Sequence, residues 1–187
     1  MSVIIIGHKE HGKDEFAKAF CKSSGLSYTS SSRFSLERFL YERVRDEYGY
    51  SSIEECWADR RNSQEVRDRW AREITAYNTP NKTRLLEEIF AEHGVYVGMR
   101  CREELLAAKE KGLARLVIWV DASRRMPPEP LSSMTVTQAD ATITVDNNGD
   151  EQTMLEMADY LGRNLRTLLS PSGQPVKSPI GHAPHPA

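Results

Sequence analysis

The sequence predicts an α/β fold, with about five parallel strands in one sheet, helices on both faces and a helical insertion. Three observations lead there. Short apolar runs alternate with amphipathic helical stretches along most of the chain. The first run, Val3-Ile4-Ile5-Ile6, is continuously apolar and β-branched, as in a strand buried on both faces. A glycine-framed loop and a helix follow it at once, the unit from which parallel sheets with right-handed crossovers are built.

The loop reads Gly7-His8-Lys9-Glu10-His11-Gly12-Lys13-Asp14, with Glu15 opening the helix. G-x-x-x-x-G-K between a strand and a helix is a phosphate-binding loop in its required context. Gly7 and Gly12 let the backbone pass close to a ligand. The amides from His8 to Glu15 can then converge on phosphate at a helix N-terminus. Lys13 would reach the β- and γ-phosphates of ATP. Asp14 stands where Ser or Thr usually ligates Mg²⁺, and a carboxylate can hold that ion directly or through water. A glycine-rich turn with a chance Gly-Lys is the plain alternative, and the flanking strand and helix weigh against it.

The first helix is expected from Gly12 to about Ser23, with Phe16, Ala19 and Phe20 inward. Leu26-Ser27-Tyr28 reads as a short second strand, followed by a polar turn, Thr29-Ser30-Ser31-Ser32. Residues 35–93 are helical in pattern and suit an insertion over the acceptor side of the loop. Val95 to Arg100 reads as the third strand, Leu116 to Asp121 as the fourth and Ala141 to Asp146 as the fifth. Pro127-Pro128-Glu129-Pro130 rules out a long helix after the fourth strand. Glu151 to Leu169 is the last amphipathic helix. Residues 1–169 are thus expected to be one domain, and the Pro-, Ser- and Gly-rich residues 170–187 a disordered tail.

Composition narrows the function. The 187 residues carry 25 basic and 27 acidic side chains, a formal charge of −2, so the chain has no global pull toward nucleic acid. Cys21, Cys56 and Cys101 are odd in number and far apart, which gives neither a disulfide framework nor a zinc site. No apolar run is long enough for a bilayer or a secretory leader. A soluble, cytoplasmic protein is expected.

Arginines are the next candidates, because a planar guanidinium grips two phosphate oxygens at once. Arg60, Arg61, Arg67, Arg69 and Arg72 crowd one stretch with Trp57 and Trp70. Arg60, Arg61, Arg67 and Trp70 are candidate acceptor contacts, although the interleaved Glu65, Asp68 and Glu73 also suit a solvated helix face. Arg100 lies beyond a strand's carboxyl end, where ligands bind in such sheets, and is a candidate catalytic and substrate-binding group. Arg124 and Arg125 follow the fourth strand, where one of them can meet the transferring phosphoryl group. Asp59 is a candidate base for an acceptor hydroxyl, or an ion partner of its neighbours. Asp121 is a candidate Mg²⁺ group or a cap.

The loop with Asp14 after its lysine resembles that of the phage deoxynucleoside monophosphate kinases, P-loop kinases in which Asp also replaces Ser or Thr. Tyr96-Val97-Gly98-Met99-Arg100 with Glu103-Glu104, Ile118 to Ser123, and Ala139-Asp140-Ala141 through Val145 to Gly149 are similar to further blocks of that group. The Tyr50 to Asn78 block is more similar to its 5-hydroxymethyluridine DNA kinase branch. Glu15 in place of Thr, and the lack of a Phe-Ala-Asp block after the second strand, depart from the monophosphate kinases. The resemblance implies a P-loop kinase fold, ATP and Mg²⁺ as cofactors, and DNA containing 5-hydroxymethyluracil as acceptor in thymidine hypermodification. A free deoxynucleoside monophosphate is the second choice of acceptor. A nucleotide-binding switch with no acceptor is the rival from another class.

Overall fold

The computed structural model describes residues 1–170. Its centre is a five-stranded, all-parallel sheet in the order β2-β3-β1-β4-β5. The strands are β1 (Val3–Ile6), β2 (Tyr28–Ser30), β3 (Val95–Val97), β4 (Leu116–Asp121) and β5 (Ile143–Asp146). β1 is central, with Val3 opposite Val95 on one side and Leu116 on the other. All four of its residues are fully buried, as its unbroken apolar run requires.

Each face of the sheet carries its own core. On one face α1 (Lys13–Ser24) and α8 (Glu151–Arg163) pack through Phe16, Phe20, Met154, Ala158 and Leu161 against Val3, Ile5, Ile118 and Val120. On the other, α6 (Arg84–Glu92) and α7 (Arg102–Glu110) press Leu85, Leu86, Ile89 and Leu105 onto Ile4, Ile6, Tyr96 and Trp119. Alternate residues of β1 thus serve opposite layers.

The insertion has a third core of its own. It comprises α2 (Ser31–Ser35), a π-helical turn (Leu36–Leu40), α3 (Tyr41–Tyr48), α4 (Ile53–Asn62) and α5 (Gln64–Asn78). Leu36, Leu40, Val44, Tyr50, Cys56, Val66 and Trp70 close on one another there. Ser52 caps α4 by accepting from the Glu55 amide at 3.1 Å, and Glu55 accepts from the Ser51 amide at 2.8 Å.

Four boundaries differ from the sequence reading. β2 is Tyr28–Ser30, not Leu26 to Tyr28, because the Ser/Thr run pairs with Val95 to Val97 before Ser30 caps α2 at the Arg33 amide. β3 stops at Val97, since Gly98 takes a φ of 87° and turns the chain away. β5 starts at Ile143, because Gln138–Asp140 forms a 3₁₀ turn closed by a Thr137–Asp140 capping box. The last helix breaks at Asn164, after which α9 (Leu165–Leu168) adds one turn. Residues 171–187, most of the expected tail, lie outside the described residues. Among the described residues no helix is long and apolar enough to cross a membrane.

Candidate phosphate-binding and acceptor site

The carboxyl ends of β1, β3 and β4 meet beneath the loop that joins β1 to α1. Gly7 lies against β4: a Cβ there would stand 2.6 Å from the Val120 carbonyl oxygen. Gly12 has a φ of 85° and precedes α1 with no side-chain cap, which leaves the first amides of the helix open to a ligand. Glu10 also takes a positive φ, 63°. Lys13 turns its ammonium back to the His8 carbonyl at 3.3 Å. Burial, opposed mainly by Asp14, holds its pKa below the ordinary lysine range. Asp14 and Glu15 are exposed on the first turn.

His8 and His11 both direct Nδ1 to the backbone of the segment at and after the end of β4. His11 is fully buried and accepts the Ala122 amide at Nδ1, 3.0 Å away, while its own carbonyl accepts from Asn147 Nδ2 at 2.9 Å. The His8 ring stands edge-on to Trp119 and accepts the Glu129 amide at Nδ1, 3.1 Å away. Burial first, and then His11, lowers the His8 pKa below 6.5, so the ring is held neutral. The two imidazoles thus brace the loop against the chain at and after the end of β4. Lys9 leaves its ammonium to Glu10 and offers its amide.

On the acceptor side the arginine cluster separates. Arg60 reaches from α4 to Ser32 Oγ at 2.7 Å and lies 5.3 Å from the Trp70 ring centre and 5.5 Å from Trp57. Burial, followed by Arg100, Arg67 and Arg61, pushes its pKa down to about 10. No carboxylate is within ion-pair distance of it among the described residues, and its buried Nε has no partner. Such a cation calls for an anion.

The neighbours are otherwise engaged. Arg67 Nη1 caps α4, bonding the Arg60 and Arg61 carbonyls at 3.3 and 2.9 Å. Arg69 pairs with Glu73 and Glu47. Arg61 is exposed beside Trp57. Trp70, read as a substrate contact, is 1% exposed and reaches the site only as the support under Arg60. Asp59, read as a base, accepts from the Tyr50 hydroxyl and is tied to the turn ahead of α4.

The protein-family models contain no match to this chain, and neither do the curated proteins. Among solved structures it is similar to an unliganded sugar kinase from Janibacter sp. HTCC2649. The identity is 14% and the TM-score 0.42, over 84% of this chain and 91% of that one.

Arg100 binds Glu129 Oε1 at 2.6 Å and is half exposed. Arg124 is mostly exposed and pairs with Asp146 at 3.0 Å, while Arg125 clamps the Asn147 carbonyl. Asp121 accepts from Asn148 Nδ2 at 2.9 Å and from Ser123 Oγ at 3.0 Å. Burial raises its pKa, and these bonds outweigh burial to leave it below the ordinary carboxylate range. Asp121 therefore stays ionised near the loop. Sequence reasoning missed Asn147, which ties β5 to the loop, and Glu129, which carried only a helix-breaking signal from its flanking prolines.

Proposed function

We propose that this chain is an ATP-dependent phosphotransferase acting on a nucleotide. The 5-hydroxymethyl group of 5-hydroxymethyl-deoxyuridine in DNA is the first choice of acceptor. One observation carries the transfer chemistry: a glycine-framed loop between β1 and α1 holds a half-buried Lys13 whose one hydrogen bond among the described residues is to its own loop's carbonyl. A triphosphate would supply the anion that this lysine lacks. The open amides at the start of α1 suit the same ligand, as does the close packing of Gly7 and Gly12.

Mg²⁺ would travel with ATP. Among the described residues no three His, Cys, Asp or Glu side chains gather for a metal. A Mg²⁺ bound mainly by phosphate and water needs only one or two carboxylates, and Asp14 and Asp121 suit that role. In-line transfer then depends on positioning and charge neutralisation. Lys13 would hold the donor and Arg60 an acceptor phosphate. Arg100 would bridge the two, and Arg124 would enter from the segment after β4. The attacking hydroxyl oxygen would bond to the γ-phosphorus as the bond to the β–γ bridging oxygen breaks, ADP leaving and the hydroxyl proton passing to water. A loose transition state asks little of a base, so the engagement of Asp59 with Tyr50 is no obstacle.

The likeness of the Tyr50 to Asn78 block to the DNA kinases favours DNA. A free deoxynucleoside monophosphate is the second reading, and Arg60 favours it: one sheltered guanidinium suits one phosphate, and of its arginine neighbours Arg67 is bonded to the Arg60 and Arg61 carbonyls and Arg100 to Glu129. The test offers ATP labelled at the γ-phosphate to hydroxymethyluracil DNA, thymine DNA and free deoxynucleotides. Label in the first alone, lost steeply with salt, supports the first choice. Label in a free nucleotide alone moves the assignment to the second. Phosphate release without a labelled acceptor makes the chain a switch.

A further inference from the structure

We propose that Glu129 is a built-in substitute for the terminal phosphate, carried on a strap that ATP displaces. The inference rests on the loop binding a triphosphate. The strap is the segment from Ser123 to Ser133, between β4 and β5. It is anchored at its start by buried Ala122 and at its end by buried Met134 and Val136. The Arg100 carbonyl accepts the Thr135 and Val136 amides at 2.9 and 3.2 Å. Between these anchors the strap is mostly exposed, and Leu131 is 75% exposed. Met126 and Glu129 are the exceptions, and Glu129 has only 15% of its side chain accessible between exposed Pro128 and Pro130.

What shelters it is the phosphate machinery. Oε2 accepts the Lys9 amide, within the loop, at 2.7 Å. Oε1 accepts from Arg100 Nη1 at 2.6 Å. The Lys13 ammonium is near enough to lower its pKa further, with these bonds outweighing the upward push of burial. A loop amide and a guanidinium nitrogen on one carboxylate, with the loop's lysine charge nearby, resemble the surroundings that a phosphoryl group would meet. The strap's own backbone completes the clasp. Prolines at 127, 128 and 130 leave Glu129 the one N–H in this run, and it donates to His8 Nδ1 at 3.1 Å.

A carboxylate and a γ-phosphate cannot share those donors. ATP must therefore lift Glu129, which frees Arg100 to swing onto the phosphate while the strap carries Arg124 with it. The intrinsic affinity for triphosphate is discounted by the strength of the clasp. AMP, with no γ-phosphate, does not compete.

Full-length wild-type, Glu129→Gln and Glu129→Ala proteins are titrated by calorimetry with Mg-ATP, inorganic tripolyphosphate and AMP. Thermal melts establish that each is folded, and the near-isosteric Gln variant covers a folding failure of the Ala one. The proposal expects roughly tenfold tighter ATP and tripolyphosphate with AMP unchanged, the loss of one charge-assisted bond that the ligand must otherwise break. Unchanged or weaker ATP binding overturns it, and so does an equal gain for AMP. Lys13→Ala separates the two claims. If it abolishes ATP binding while both Glu129 variants are silent, the nucleotide reading stands and the strap fails. If ATP binding ignores Lys13, both fall.

Discussion

Asn147 Nδ2 donates to the His11 carbonyl at 2.9 Å, and the same nitrogen lies 2.4 Å from where a Cβ on Gly12 would stand. The end of β5 thereby sets the shape of a loop 136 residues earlier. Asn147 is 3% exposed, so its loss leaves a buried carbonyl unpaired. Asn147→Ala should destabilise the protein by about 1–3 kcal/mol and weaken ATP binding. Denaturant midpoints and nucleotide titration check this. An unchanged midpoint would show that water replaces the amide.

Gly12→Ala meets two obstacles, its φ of 85° and the Asn147 amide. The left-handed conformation alone costs an L-residue about 1–2 kcal/mol. Nucleotide binding should fall sharply in a protein that still folds. Combining Gly12→Ala with Asn147→Ala removes the clash and leaves the strain, so the double variant should be less impaired than the sum of the singles. Simple additivity would place the fault in the backbone alone.

Arg60 sets function against stability. Its guanidinium is largely buried with no carboxylate partner, so Arg60→Met should leave the melting temperature unchanged or raised. Loss of a charge-assisted bond to phosphate should raise the acceptor KM roughly 10- to 100-fold with little change for ATP. An acceptor KM near wild type would remove Arg60 from the site.

The His8 ring predicts a pH effect. Its folded pKa lies below its ordinary 6.5 because burial and His11 oppose protonation. The unfolded chain therefore binds the proton more readily, and stability declines as pH falls below about 6.5 toward the folded pKa. Protonation also removes the Nδ1 acceptor for the Glu129 amide. His8→Asn should flatten this part of the stability profile. A wild-type slope retained in that variant would assign the decline to another group.

The sheet was legible wherever a strand is apolar on both faces. β4 runs from Leu116 to Asp121 as its composition demands. β2 was displaced because an edge strand pairs on one side only, and Thr29 and Ser30 resemble a turn. At the candidate site, the spacing from Gly7 to Lys13 was enough to place a glycine-framed turn between β1 and α1, since that pattern is local. Arg60 could be seen only as one of five arginines. Selecting it depends on which neighbours bind Arg67 and Arg69, and that is tertiary information. The backbone contacts of His8 and His11 were hidden because their partners lie 121 and 111 residues away, and the pairing of Glu129 with Arg100 joins residues 29 apart across separate elements.

The central claim is phosphoryl transfer from ATP through the loop after β1, and the most direct test is transfer of the labelled γ-phosphate by wild-type and Lys13→Ala proteins. Both would be assayed at matched concentration with the full acceptor panel, after melts show both folded. Removing a lysine that neutralises the transferring group should lower kcat/KM by at least about a hundredfold. Near-normal transfer by a folded Lys13→Ala protein would contradict the account.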